Sequence, residues 1–179
     1  MIKKTADMPL LEQIYYHAGD VIASDRLKQE DIYRQHGSVT CYEHSVAVTL
    51  MSVRFVQRLH LKLDMESMIK GALLHDYFLY DWRSAENDIN RRHHGFHHAQ
   101  HALKNACRDF TLSPVTCDVI RKHMFPLNIR PPRYKESVVV CIADKVVATK
   151  EVCRFLKGKL KTGALRSVSR SQKQQIADI

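Results

Sequence analysis

The chain has 179 residues, 45% of them apolar, which is enough for one compact domain with a buried core and short for two. Its net charge of +9 is uneven: residues 1–153 carry +3 and residues 154–179 carry +6, so the basicity belongs mainly to the C-terminal end and argues against a nucleic-acid-binding core. Five widely spaced cysteines without a CxxC pair argue against a disulfide framework or a thiolate zinc site, and the longest apolar run, "SVVVCIA", is too short to span a membrane. A reducing, cytoplasmic setting is therefore expected, with neither export nor membrane insertion.

Helical spacing recurs in several windows and no strand alternation bounded by hairpin turns is evident, which predicts an all-α fold. Leu10, Ile14 and Val21 mark one face of a first helix over residues 8–23, and "LKQEDIYRQ" suggests a shorter second one. Ser38 or Thr40 can cap a long helix reaching Leu59, with Val46, Leu50, Val53 and Val56 as its inward stripe and His44 in its first two turns. Asp64 with Ser67 starts the next helix, where Met68, Ala72 and Leu73 pack and the small Gly71-Ala72 pair permits a close crossing. His75 and Asp76 lie at its end. The polar run Arg83 to Arg92 reads as a loop; "HHAQHALKNACRDF" then resumes a helix with Ala102, Leu103, Ala106 and Phe110 on one face. Ser113-Pro114 starts a helix that reaches His123 before Pro126, and "PLNIRPPRYKES" is a proline-stiffened loop. A last helix over residues 136–156 turns Val139, Ile142, Val146 and Cys153 inward, with Asp144 inside its apolar stretch. Residues 1–157 form one domain in this reading, and residues 158–179, "GKLKTGALRSVSRSQKQQIADI", a basic tail, solvated and mobile or in contact with an anionic surface or nucleic acid. No aromatic residue is interleaved with its charges, so a nucleic-acid contact is not favoured.

Four helices thus bring hydrophilic groups to positions their patterns assign to the core: His44, the pair His75-Asp76, His123, and Asp144. An isolated buried carboxylate is costly. A divalent cation held between these carboxylates and neutral imidazoles would offset that cost.

"YEHSVAVT", "LLHDYFLYDW" and "CIADKVVAT" resemble the first, second and last motifs of the HD-domain superfamily of metal-dependent phosphohydrolases, over about residues 36–155. The resemblance implies a single helical-bundle domain with a central metal site in which His44, His75, Asp76 and Asp144 hold one ion. Superfamily members with two metals place further histidines between the HD pair and the last Asp, where "HHGFHHAQHALKNA" and "RKHMFP" stand here; His98 and His123 match best, with Asp76 bridging. Within the cluster His93, His94, His97, His98 and His101 the choice stays open. Gly95 speaks against a helix continuing through His94, so His98 is taken to start that helix and His94 to be a ligand or a catalytic, substrate-contacting group. Ala99 stands where the superfamily often has Pro.

Imidazole and carboxylate donors without thiolate suit a divalent transition metal, Fe or Mn by preference, with Co, Ni, Zn or Mg as alternatives. The implied reaction is hydrolysis of a phosphate ester of a nucleotide or another small molecule by metal-activated water, with Asp76 at the centre and Lys145, beside Asp144, as a further catalytic candidate. Arg130, Arg133 and Lys135 in the proline-rich loop, and His36 ahead of the first ligand helix, are candidate substrate contacts or ordinary surface groups. Trp82, after Asp81, either packs on the domain or caps the pocket. Two rival readings share the ligands: a di-iron oxygenase of the HD type, and a metal-binding regulatory module without turnover. Oligomeric state is open.

Overall fold

The computed structural model describes the backbone of residues 8–36, 39–80 and 88–177, and the side chains of residues 8–34, 39–80 and 97–157. Helices account for most of it: α1 (Leu10–Ala23), α2 (Asp25–Lys28), α3 (Cys41–Leu59), α4 (Met65–Leu74), α5 (Asp88–Asp109), α6 (Pro114–Lys122) and α7 (Lys135–Ala177). Between α2 and α3, a 3₁₀ turn over Gln29–Ile32 leads into a two-stranded antiparallel ribbon, β1 (Arg34–His36) with β2 (Val39–Thr40). The fold is all-α in class, as expected, and α3, α4, α6 and α7 pack on one another around the core.

Local signals set most helix starts. Thr40 caps α3 through a reciprocal capping box: its hydroxyl accepts from Glu43 N at 3.1 Å and Glu43 Oε2 accepts from Thr40 N at 2.9 Å. Asp64 caps α4 by accepting from Ser67 N, and Ser113 caps α6 by accepting from Thr116 N, with Pro114 in the first turn. α4 and α6 also meet directly, Ser67 Oγ lying 2.6 Å from Ser113 Oγ. Gly71 makes the close crossing expected of it, since a Cβ there would stand 2.6 Å from Val119 Cγ1.

Several expectations need correction. The second helix does not run through "LKQEDIYRQ"; its C-terminal part is pulled into the 3₁₀ turn and ribbon by bonds to the start of α3, from Cys41 N to Tyr33 O at 2.8 Å and from Thr40 Oγ1 to Asp31 at 2.9 Å. The inward face of α3 is rotated from the predicted stripe. Val46 and Leu50 are only half-buried, while Ser45, Val48, Thr49 and Ser52 are buried with Val53 and Val56. Thr49 and Ser52 hydroxyls donate back to the carbonyls of Ser45 and Val48, which lets these two polar side chains enter the core with their hydroxyls paired.

In α7 the inward residues are Val139, Val140, Ala143 and Val147, whereas Ile142 is 50% exposed and Cys153 is exposed, because the face that meets the core is the one carrying Asp144 and Glu151. α5 begins at Asp88 and passes through Gly95, so part of the predicted loop is helical and His98 stands inside a helix rather than at its start. A helical glycine is only about 1 kcal/mol less favourable than alanine, a deficit that packing of α5 on α6 offsets. Residues 81–87, with Asp81 and Trp82, lie outside the described residues. The helical backbone of α7 runs on to Ala177, past the expected end at Leu156.

Candidate metal centre

The capping box that opens α3 places His44 in the helix's first turn, pointing into the core. His75 is the C-cap of α4, and Asp76 follows in a turn closed by a bond from Phe78 N to Asp76 O at 2.8 Å. Asn105 of α5 holds that turn from outside, its Nδ2 donating to Tyr77 O at 3.1 Å and Phe78 O at 3.0 Å. His123 is the C-cap of α6, and Lys145 of α7 ties that end down, its Nζ donating to His123 O at 2.8 Å. Asp144 is the residue before it.

Six predicted ligands converge. Asp76, 2% exposed, lies at the centre: one carboxylate oxygen is 3.4 Å from His75 Nε2 and 3.9 Å from His44 Nε2, and the other is 3.4 Å from His98 Nε2 and 3.6 Å from His123 Nε2. Asp144 Oδ1 is 3.1 Å from His44 Nε2 and 3.9 Å from His75 Nε2. Metal–ligand bonds of about 2.0–2.2 Å put neighbouring ligand atoms roughly 3–4 Å apart, so these separations are those of a coordination sphere. Two overlapping groups, His44 with His75 and Asp76, and Asp76 with His98 and His123, could each hold an ion.

Hydrogen bonding assigns the imidazole tautomers. His75 Nδ1 lies 2.8 Å from Ala72 O and His123 Nδ1 2.8 Å from Ile120 O; a carbonyl only accepts, so each Nδ1 carries the proton and each Nε2 presents its lone pair to the cluster. His75 Nε2 is fully buried and has no hydrogen-bond partner among the described residues. His123 Nε2 faces His98 Nε2 at 2.9 Å. An orphaned lone pair beside a buried carboxylate is what a cation would satisfy, and the N and O donors without sulfur fit a divalent transition metal.

Electrostatics agree with ionised Asp76 and Asp144 and a neutral His123, whereas His44 holds a second proton, on Nε2, that a bound cation would displace. Burial penalises the charge on Asp76, but four surrounding imidazoles outweigh it and hold the carboxyl well below the usual range. Asp144 is also lowered, burial again being outweighed, chiefly by its bond to His44. Burial, together with neighbouring His75, pushes His123 down to about 3, so it stays neutral and ligand-ready. Burial opposes a charge on His44, yet its bonds to Asp144 and Glu151 raise it to about 10.

A family model described as the HD domain matches residues 41–149, more than half of the chain. The chain belongs to the HD-domain family. No curated protein and no solved structure matched it. The membership accounts for the shared helical core, and the converged ligands lie in or at the ends of five helices that the match covers wholly or in part, α3 to α7.

Other predicted site residues lie elsewhere. Arg130 is exposed and lines a surface cleft with Gln100, Arg121, Lys122 and Ile129. Two residues along a helix are a rotation of about 200°, so Gln100 and Arg121 face away from the side on which His98 and His123 point. Arg133 is exposed, its backbone N bonded to Asp118 and its guanidinium over the Tyr134 ring. Lys135 borders a different cleft with Leu61, Leu63 and Val138, about 13 Å along the axis of α7 from Asp144. The structure therefore does not gather these three around the ligands. Lys145 is close, but its ammonium is engaged by His123 O and by Cys141 O at 3.3 Å. The side chains of His36 and His94 lie outside the described residues; His97 and His101 are exposed.

Two buried acids were missed by reading the sequence. Glu151 accepts from His44 Nδ1 at 3.0 Å, and its only sequence signal was its place seven residues after Asp144, two helical turns along one face. Glu30, in the 3₁₀ turn, is 1% exposed and gave no signal at all. Among the described residues no helix is long and apolar enough to cross a membrane.

Proposed function

We propose that the chain is a metal-dependent phosphohydrolase that uses one or two divalent ions, Fe or Mn by preference, to hydrolyse a phosphate ester of a nucleotide or another small molecule. The observation that carries this reading is the shared position of Asp76 between two groups of imidazoles, with Asp144 completing a sulfur-free donor set. His44, His75, Asp76 and Asp144 would hold one ion, and Asp76, His98 and His123 a second. When bound, the metal supplies Lewis acidity that acidifies a water molecule and offsets charge on phosphoryl oxygens. The protein's part is orientation. Ala72 O and Ile120 O fix the tautomers of His75 and His123, Asn105 and Lys145 hold the two turns that carry ligands, and the low exposure of the cluster keeps bulk water from competing. Membership of the HD-domain family supports a hydrolase of this kind.

The test is phosphate release from nucleoside mono-, di- and triphosphates and phosphodiesters by protein loaded with Mn²⁺ or Fe²⁺. Asp76→Asn should deplete metal at both positions and lower the rate by more than about 100-fold, since loss even of a residue supporting a ligand typically costs 10–100-fold. A metal-loaded protein that releases no phosphate from any of these would sink the proposal. Oxygen consumption by the iron form would then favour the oxygenase alternative.

A further inference from the structure

The ligands do not have equal support. His75 and His123 each donate from Nδ1 to a neutral main-chain carbonyl, whereas His44 donates from Nδ1 to the carboxylate of Glu151 at 3.0 Å, and both partners are buried. A carboxylate behind an imidazole fixes the tautomer and makes the opposite nitrogen a stronger donor than a carbonyl does. The group around His44 also has Asp144 within 3.1 Å of His44 Nε2, while the group around His98 and His123 has only the shared Asp76 as an anion among the described residues. Among the described residues, negative charge is therefore concentrated on one side of Asp76.

We infer that Glu151 is a positioning residue that makes the His44, His75, Asp76 and Asp144 position the tighter of two unequal metal sites, so that ions load in order, this position first. This rests on the metal-binding part of the reading above and not on the reaction. Glu151 touches no substrate; it acts through His44. Its place on α7, two turns beyond Asp144, lets one rigid helix deliver both a ligand and the support for a second ligand on α3.

The experiment titrates metal-free full-length protein with Co²⁺, following visible absorption and metal content. The parent should show two resolved steps. Glu151→Leu should weaken the first by about 10–100-fold, the usual effect of losing such a partner, and leave the second near its parental value. Glu151→Gln, which can still accept from Nδ1 but lacks the charge, should restore only part of the loss. In the Zn²⁺-loaded parent, ¹⁵N-resolved NMR should show His44 protonated at Nδ1 and ligated through Nε2, a readout that does not depend on any variant folding. The inference is overturned by a folded Glu151→Leu variant with parental affinity for both ions, by two indistinguishable steps in the parent, or by the opposite tautomer of His44. A parent that binds no metal overturns this inference and the proposed function together. A parent with two ordered ions and no phosphate release leaves the inference standing while the proposed reaction fails.

Discussion

Glu30 is a carboxylic acid with no hydrogen bond of ordinary geometry, enclosed beside a cluster of charged groups. Burial raises its pKa well above the ordinary value of 4.5, and the charge of Asp76 raises it further, against smaller opposing effects of His44 and Ser45. The folded protein therefore retains a proton that the unfolded chain releases above about pH 4.5, and stability falls as pH rises from there toward the folded-state pKa. Glu30→Gln keeps the volume and cannot ionise. In urea melts of metal-saturated protein between pH 5 and 8, the variant should gain stability relative to the parent as pH rises. Parallel stability curves for the two proteins would show that Glu30 is ionised in the fold. Glu30 and Glu151 share one reason for being missed in the sequence: each is a charged residue in a polar-looking segment, and only burial by distant elements gives it meaning.

At the level of elements, the site depends on how α4 and α6 cross, because each helix ends on a ligand, His75 and His123. Gly71 sets that crossing. A methyl group there would overlap Val119 side-chain atoms at 2.6 and 2.7 Å, closer than packed carbons approach. Gly71→Ala should cost about 1–3 kcal/mol of stability, net of its better helix propensity, and should lower metal content by spreading His75 from His123. Recovery of both in the double variant Gly71→Ala with Val119→Ala would confirm that the contact is responsible. An unchanged melting curve in the single variant would show that the crossing adjusts freely. Helix starts were legible because capping is local chemistry, as at Thr40, Asp64 and Ser113. Helix faces were less so, because on α3 and α7 the core-facing stripe includes Ser45, Ser52, Asp144 and Glu151, which a count of apolar residues discards.

For the whole molecule, a cluster drawn from α3, α4, α5, α6 and α7 couples metal binding to folding, since the unfolded chain holds no such arrangement. Free metal at a hundred times its dissociation constant adds about 2.7 kcal/mol, which for a chain of this size corresponds to a rise in Tm of roughly 5–10 °C. Chelation of the metal-loaded protein should reverse it, as read by calorimetry. A metal-free protein with the same Tm as the loaded form would remove the physical case for convergence. Truncating residues 158–179, which lie beyond the match to the HD domain, should leave metal content and this shift unchanged. Loss of metal from the truncated protein would make the C-terminal part of α7 a component of the site.

The sequence alone was sufficient for the all-α class, the main helices, and the ordered series His44, His75-Asp76, His123 and Asp144 as candidate ligands, because periodicity, caps and motif spacing are recorded along the chain. The tertiary structure decided what depends on contacts between distant segments: that His98 rather than His97 or His101 faces Asp76, that Arg133 and Lys135 stand apart from the ligands, and that Glu151 supports His44 from 107 residues away. The reason is physical. A residue type specifies what a side chain can bond to, but burial and partners are set only when helices far apart in sequence pack against each other.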